Sequence, residues 1–141
     1  MSARSIFITG AASGIGLATA RHFSARGWAV GLADIDEPAL AIASRALGEA
    51  PHSVHRLDVR ERGYGGWPCV LGGFMTAHGR MDVLVNNAGV ARAGFLEDLT
   101  DEDIRQINAE FAGKLANRRR RMRLARQTSE ATRSPRCTPA G

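Results

Sequence analysis

An α/β fold built on a doubly wound parallel sheet is what this sequence predicts, and three observations predict it. Short apolar runs of strand length alternate with amphipathic runs of helix length from residue 5 to residue 85. Between the first strand-like run and the first helical one lies Thr9-Gly10-Ala11-Ala12-Ser13-Gly14-Ile15-Gly16. The second apolar run ends at Asp34, 24 residues after Gly10, close to the ~20 at which a strand-end carboxylate follows a glycine loop in such folds.

The elements follow in order. Residues 5–9, centred on Ile6, Phe7 and Ile8, read as a first strand buried on both faces. The helix after the glycine loop is expected to run to about residue 25, with Ile15, Ala18 and Phe23 at roughly helical spacing and Gly27 as a left-handed cap. Residues 28–33 form the second strand. Glu37-Pro38 opens the next helix, since proline suits a first turn, and Leu40, Ala43 and Leu47 make its inner stripe. Residues 53–57 form the third strand.

A crossover helix belongs within residues 60–80, yet Gly63, Gly65, Gly66 and Pro68 crowd its start. Glycine costs about 1 kcal/mol and proline about 3 in a helix interior, so the helix is expected to begin near Val70. Residues 81–85 form the fourth strand and lead into Asn86-Asn87-Ala88-Gly89. Thr100-Asp101-Glu102-Asp103 has the pattern of a capping box opening a helix through Ile104, Ile107 and Phe111.

The 141 residues suffice for one modest domain. No apolar stretch approaches the ~20 residues that span a bilayer, and the N-terminus enters a strand without a signal-peptide pattern. A cytoplasmic protein without membrane attachment is expected. Cys69 and Cys137 lack metal-ligand spacing and read as unpaired thiols, while His22, His52, His55 and His78 also lack it and read as partly exposed bystanders. No metal site is expected.

The formal net charge of +5 invites a nucleic-acid reading until it is divided along the chain. Residues 1–113 carry 10 arginines against 13 carboxylates, a net of −3, whereas residues 114–141 carry 8 arginines and one lysine against Glu130, a net of +8. All the excess basicity lies in the tail. Arg118, Arg119, Arg120 and Arg121 open it, and a mixture of Ser, Thr, Pro and Arg with few apolar residues continues it. Such a segment buries too little surface to offset its chain entropy, so disorder is expected there.

The glycine loop carries the chemistry. A strand, a tight glycine turn and a helix N-terminus together present backbone N–H groups to a dinucleotide pyrophosphate, and the Asp34 carboxylate is placed for ribose hydroxyls. The spacing of Gly10, Gly14 and Gly16, the Asp34 that follows, Leu57-Asp58-Val59 and Asn86-Asn87-Ala88-Gly89 occur in an order that resembles the N-terminal half of the short-chain dehydrogenase/reductase family. The resemblance covers about residues 4–113. It implies a Rossmann-like sheet of order 3-2-1-4, truncated here, and a domain boundary near residue 113.

Cofactor contacts implied by the resemblance come from Gly10, Ser13, Gly14, Ile15 and Gly16 in the loop and from Asp34 at the ribose. Asp58 and Val59 would lie at the adenine, although Asp58 also reads as a simple loop cap. Asn86, Ala88 and Gly89 would line the crevice, with Asn86 and Asn87 tying neighbouring strands together as well. A carboxylate at position 34 repels a 2′-phosphate, which favours NAD over NADP. By ancestry the substrate is a small alcohol or ketone.

Activity is a different matter. In the family a tyrosine transfers the proton, a lysine four residues later lowers its pKa, a serine positions the substrate oxygen and an asparagine supports a relay water. Asn108 stands at the asparagine position, where it also reads as a helix-bend residue. The sole tyrosine is Tyr64 and the sole lysine is Lys114, so no Tyr-x-x-x-Lys exists. The expected protein is therefore an NAD-binding oxidoreductase relative with weak or absent catalysis, a cofactor-binding pseudoenzyme being the alternative. A nucleic-acid binder acting through residues 118–126 is the less favoured one. The fourth strand, interior in the family's sheet, would become an edge exposing Val83, Leu84 and Val85, which favours non-specific self-association.

Near-exclusive use of arginine over lysine, mixed with Pro, Ala, Ser and Thr, is what GC-rich codons yield out of frame. A shift of reading frame near codon 113 accounts for the abrupt change of composition. Translating the other two frames of the nucleotide sequence past that codon should recover a strand ending near a serine and then Tyr-x-x-x-Lys; neither frame containing them would make the tail a real extension.

Overall fold

The computed structural model describes residues 3–61, 66–89, 100–109 and 112. In chain order its elements are β1 (Ser5–Thr9), α1 (Gly14–Ser24), β2 (Ala29–Asp34), α2 (Glu37–Leu47), β3 (His52–Arg56), α3 (Trp67–His78) and β4 (Val83–Val85), followed by a helix over residues 101–109, here α4. The four strands are parallel in the order β3-β2-β1-β4, as the sequence predicts. The proposed boundary near residue 113 and the basic tail lie outside the described residues.

Alternation along β1 divides the core between the two faces of the sheet. Ile6 and Ile8 point one way and pack with Val30, Leu32, Ala20, Leu40 and Ala43, beneath α1 and α2. Phe7 points the other way and packs with Ala33, Leu57, Trp67, Leu71 and Phe74, beneath α3. All three β1 side chains are fully buried, so this strand carries both cores. The register follows: Phe7 stands beside Gly31 of β2 and Leu84 of β4, while Ile6 and Ile8 stand beside Val83 and Val85 of β4.

Several boundaries move from their expected places. β2 runs one residue later than expected and so includes Asp34, and β3 runs one residue earlier. β4 is limited to Val83–Val85 because Asp82 turns its carboxylate to the start of β1: Oδ2 accepts the Ser5 backbone N–H at 2.8 Å, and Ser5 Oγ donates to the Arg80 carbonyl at 2.6 Å. β4 ends the sheet among the described residues, and its side chains are half-buried.

The larger difference is α3, which begins at Trp67 rather than near Val70. Pro68 sits in the first turn, where the backbone N–H it lacks has no intrahelical partner, so its interior penalty does not apply. Trp67 anchors that turn: its ring is buried and Nε1 donates to the Val59 carbonyl at 3.2 Å. The capping box does form. Thr100 Oγ1 accepts the Asp103 N–H at 3.2 Å, and Asp103 Oδ2 accepts the Thr100 N–H at 3.1 Å. Phe111 lies outside the described residues.

Two readings of single residue types are corrected. Cys69 is not an unpaired thiol, its sulfur being disulfide-bonded; Cys137 lies outside the described residues. Three of the histidines are hydrogen-bonded instead of standing by, and two of them share one hydroxyl. His55 Nε2 and His78 Nε2 both hydrogen-bond Ser53 Oγ, at 2.8 and 2.9 Å, and His52 Nε2 meets Ser44 Oγ at 2.7 Å. Among the described residues no group of three or more His, Cys, Asp or Glu is placed to hold a metal, and no helix is long and apolar enough to cross a membrane.

Two of these histidines make stability depend on pH. Burial against Phe7 and Phe74, and then the charge of His78, lower the His55 pKa from 6.5 to about 4. Burial and the charge of His52 also lower that of His78. An unfolded chain takes up these protons below about pH 6.5 while the folded chain refuses them, so stability should be complete above pH 6.5 and fall between about 6.5 and 4. Denaturant titrations across that window should show the loss, and His55→Leu should flatten it; an unchanged slope would assign the pH dependence to other groups.

Candidate functional site

Every loop that leaves a C-terminal strand end contributes to one place. β1 closes at Thr9, whose hydroxyl donates to the Val85 carbonyl at 3.3 Å and accepts backbone N–H groups from Asn87 at 3.1 Å and Ala88 at 3.0 Å. Asn87 answers from the other side, its Nδ2 donating to the carbonyls of Thr9 at 3.2 Å and Gly10 at 3.3 Å. The chain after β1 is thereby sewn to the chain after β4.

Such closeness leaves no room for side chains. Gly10 has φ +66°, and a Cβ there would meet the Ala88 Cα at 2.9 Å. A Cβ on Gly16 would stand 2.1 Å from the Gly10 carbonyl oxygen, so the first turn of α1 lies flush on the loop only because this residue is glycine. Ser13 precedes the helix in an extended conformation and makes no side-chain cap, and the first turn holds no carboxylate. The positive end of α1 is thus left to whatever occupies the space before it.

Asp34 approaches the same space from β2. Its Oδ2 accepts the Ala12 N–H at 3.1 Å and its Oδ1 the Asp36 N–H at 3.2 Å, which sets the carboxylate beside the glycine loop. Beyond β3, Asp58 is gripped by Arg60, whose Nη2 lies 2.6 Å from Oδ2, and this hydrogen bond is the main reason the Asp58 pKa falls below the ordinary carboxylate value. Burial opposes the shift and does not overcome it.

These groups surround a cavity of about 550 Å³. Gly10, Ser13, Gly14 and Ile15 line it from the loop and α1, Asp34 and Ile35 from the end of β2, Leu57 to Arg60 from beyond β3, Asn87 to Gly89 from beyond β4, and Gln106 from α4. It opens at the carboxyl ends of the strands, beside the point where strand order reverses between β1 and β4, the place where open α/β sheets take ligands. The volume suits an extended small molecule rather than a single ion.

The short-chain dehydrogenase family model matches residues 4–113. The chain belongs to that family. This short-chain dehydrogenase chain is 41% identical over 105 residues to a monensin polyketide synthase putative ketoacyl reductase of Streptomyces virginiae, covering 72% of this chain and 39% of that protein. Its fold is similar to that of a short chain dehydrogenase/reductase from Burkholderia phymatum in complex with NAD, with a TM-score of 0.73 and 31% identity over 82% of this chain and 41% of the other. A metagenomic short-chain oxidoreductase in complex with NADP matches with a TM-score of 0.64 and 30% identity, over 78% of this chain and 50% of the other. The chain therefore spans half or less of the length of these relatives.

Of the family positions named from sequence, Gly10, Ser13, Gly14, Ile15, Asp34, Asp58, Val59, Ala88 and Gly89 share the cavity wall. Gly16 lies behind the loop, shaping it rather than facing the cavity. Asn86 is exposed and is not part of the lining, whereas its neighbour Asn87 is. Asn108 is exposed on α4 and also lies outside the lining, while Gln106 of the same helix faces in. Positions two apart on a helix point in nearly opposite directions, so the two cannot share a face. Sequence reading overlooked Thr9, Ile35, Arg60 and Gln106. Only Arg60 carries a local signal, a guanidinium two residues after a loop carboxylate.

Proposed function

We propose that this chain binds a nicotinamide dinucleotide in the cavity at the carboxyl ends of its strands, with NAD preferred over NADP. The observation that carries this reading is the convergence of an uncapped helix N-terminus and a strand-end carboxylate on one cavity of about 550 Å³. Backbone N–H groups of residues 14–16 would hold the pyrophosphate, and the absence of a Cβ at Gly10 lets the two loops close around it. Asp34 would accept the ribose hydroxyls. Ile35, Leu57 and Val59 offer apolar surface to the adenine, beside Asp58.

When bound, the cofactor supplies the hydride acceptor or donor of the family's alcohol and ketone chemistry. The chain's own residues do not complete that chemistry. A phenol near pKa 10 transfers a proton at neutral pH only beside a cation, and the sole tyrosine, Tyr64, precedes β4 with the sole lysine, Lys114, far along the chain. The two do not form the family's Tyr-x-x-x-Lys pair. We therefore read this polypeptide as a cofactor binder of oxidoreductase ancestry without turnover of its own. The position of β4 at the edge of the sheet among the described residues supports self-association through strand pairing.

Two outcomes follow. Calorimetric titration should give tighter binding of NAD than of NADP, and Asp34→Ala should bring the two affinities within about threefold by removing the repulsion of the 2′-phosphate; tighter NADP binding by the unaltered chain would overturn the preference. Absorbance of the reduced cofactor, followed with NAD and secondary alcohols, should stay at background, since loss of a positioned acid-base group alone costs about 10²- to 10⁴-fold in rate. Turnover that persists through repurification would show that other residues supply the proton path.

A further inference from the structure

At the amino ends of the strands, away from the cavity, Ser44 departs from the pattern of the helical threonines. A hydroxyl inside a helix commonly gives its proton to the carbonyl four residues back, as Thr19 does to Ile15 at 2.7 Å and Thr76 to Gly72 at 2.9 Å. Ser44 of α2 turns elsewhere. Its Oγ lies 2.7 Å from Nε2 of His52, the first residue of β3, and the His52 Nδ1 lies 2.7 Å from the Ala50 carbonyl oxygen. Both residues are half-buried, so the pair is neither sealed in the core nor loose in solvent.

The second contact decides where the protons are. A carbonyl oxygen only accepts, so Nδ1 carries the hydrogen and, in the neutral ring, Nε2 is the bare nitrogen. Ser44 Oγ–H therefore donates to Nε2. A nucleophile, a base and a group that fixes the tautomer of the base stand in sequence, which is the arrangement that activates a serine hydroxyl. The backbone holds both ends. Ala43, next to Ser44, is fully buried beneath α2, while His52 is in register with Val30 of β2, whose N–H donates to the Pro51 carbonyl at 3.0 Å.

We propose that Ser44 and His52 form a second reactive site, in which the serine takes an acyl group from a small activated ester and the imidazole moves the proton. As the bond from Oγ to the acyl carbon forms, the Oγ proton passes to Nε2, the ester C–O bond breaks and that proton leaves on the departing oxygen. Water then attacks the acyl carbon. Nε2 takes a proton from the water and returns it to Oγ as the carboxylic acid is released, so ester and water become acid and alcohol without an oxidant or a dinucleotide. Ser44 stands in the last turn of α2, where the partial negative charge of the helix end favours the imidazolium but opposes an oxyanion. The substrates are therefore esters whose leaving group departs readily, aryl esters above all. The pair sits at the opposite end of β3 from the cavity, so it is independent of the cofactor reading.

The test treats the full chain with an alkyl fluorophosphonate and, separately, with p-nitrophenyl acetate. Attack of Oγ on phosphorus expels fluoride and leaves a stable adduct, which peptide mass mapping should place on Ser44. His52→Gln keeps a polar amide but removes the base, and it should slow that labelling at least about a hundredfold. Ser44→Ala should abolish the adduct and lower the release of p-nitrophenol. Thermal melts read folding separately, and should either variant fail to fold, the unaltered chain alone decides, because labelling of Ser44 should disappear when the chain is unfolded in urea. No adduct, an adduct on another serine such as Ser53, or a Ser44 adduct that forms equally fast in urea would overturn the proposal. So would undiminished labelling of folded His52→Gln, or p-nitrophenol release that folded Ser44→Ala leaves unchanged, which would make the imidazole alone responsible.

Discussion

The stitch made by Thr9 and Asn87 is the constraint on which the site depends. A single hydroxyl satisfies two backbone N–H groups of the chain after β4 and gives its own proton to the last carbonyl of that strand, while an amide returns two hydrogen bonds to the chain after β1. Backbone groups buried at the end of a sheet must find partners, and here each loop is the other's partner. The price is that the chain after β1 can carry no Cβ at Gly10 or Gly16. Gly10 is glycine because Ala88 is there, and Gly16 is glycine because Gly10 is there.

Behind that seam stands β1, whose burial on both sides explains why the site is rigid at its root. Ile6 and Ile8 serve the core under α1 and α2, and Phe7 serves the aromatic cluster with Trp67 and Phe74 under α3. The Phe7 ring meets Phe74 edge-on at 5.2 Å and lies tilted toward His55 at 5.5 Å, so the histidine that answers to pH is packed against the strand that aims the glycine loop. Core packing, the ionisation of the β3 surface and the geometry of the loop are therefore connected through one strand.

The two carboxylates of the cavity have been given different work by their surroundings. Asp34 is held by backbone N–H groups from the glycine loop and from its own turn, so its position is coupled to the loop that faces it. Asp58 is held chiefly by a side chain, and its lowered pKa reflects first the Arg60 guanidinium, with the Arg60 backbone N–H adding to it. One is part of the architecture, and the other can be altered by a single substitution.

The sequence by itself determined the architecture and the glycine loop at the candidate site. Strand and helix alternation, the glycine spacing, Asp34 and the Asn87 motif were legible because each is set by neighbours close along the chain: period, turn conformation and the identity of a residue at a strand end. Tertiary structure decided the rest. Pro68 reads as a helix breaker until Trp67 is buried and makes that turn the first one. His55 reads as a bystander until Phe7 and Phe74 desolvate it. Gln106 rather than Asn108 faces the cavity because the docking of α4, not its composition, chooses which face turns inward. Thr9 could not be singled out at all, since what its hydroxyl holds lies 78 residues away in sequence and comes within 3.1 Å only when β4 pairs with β1.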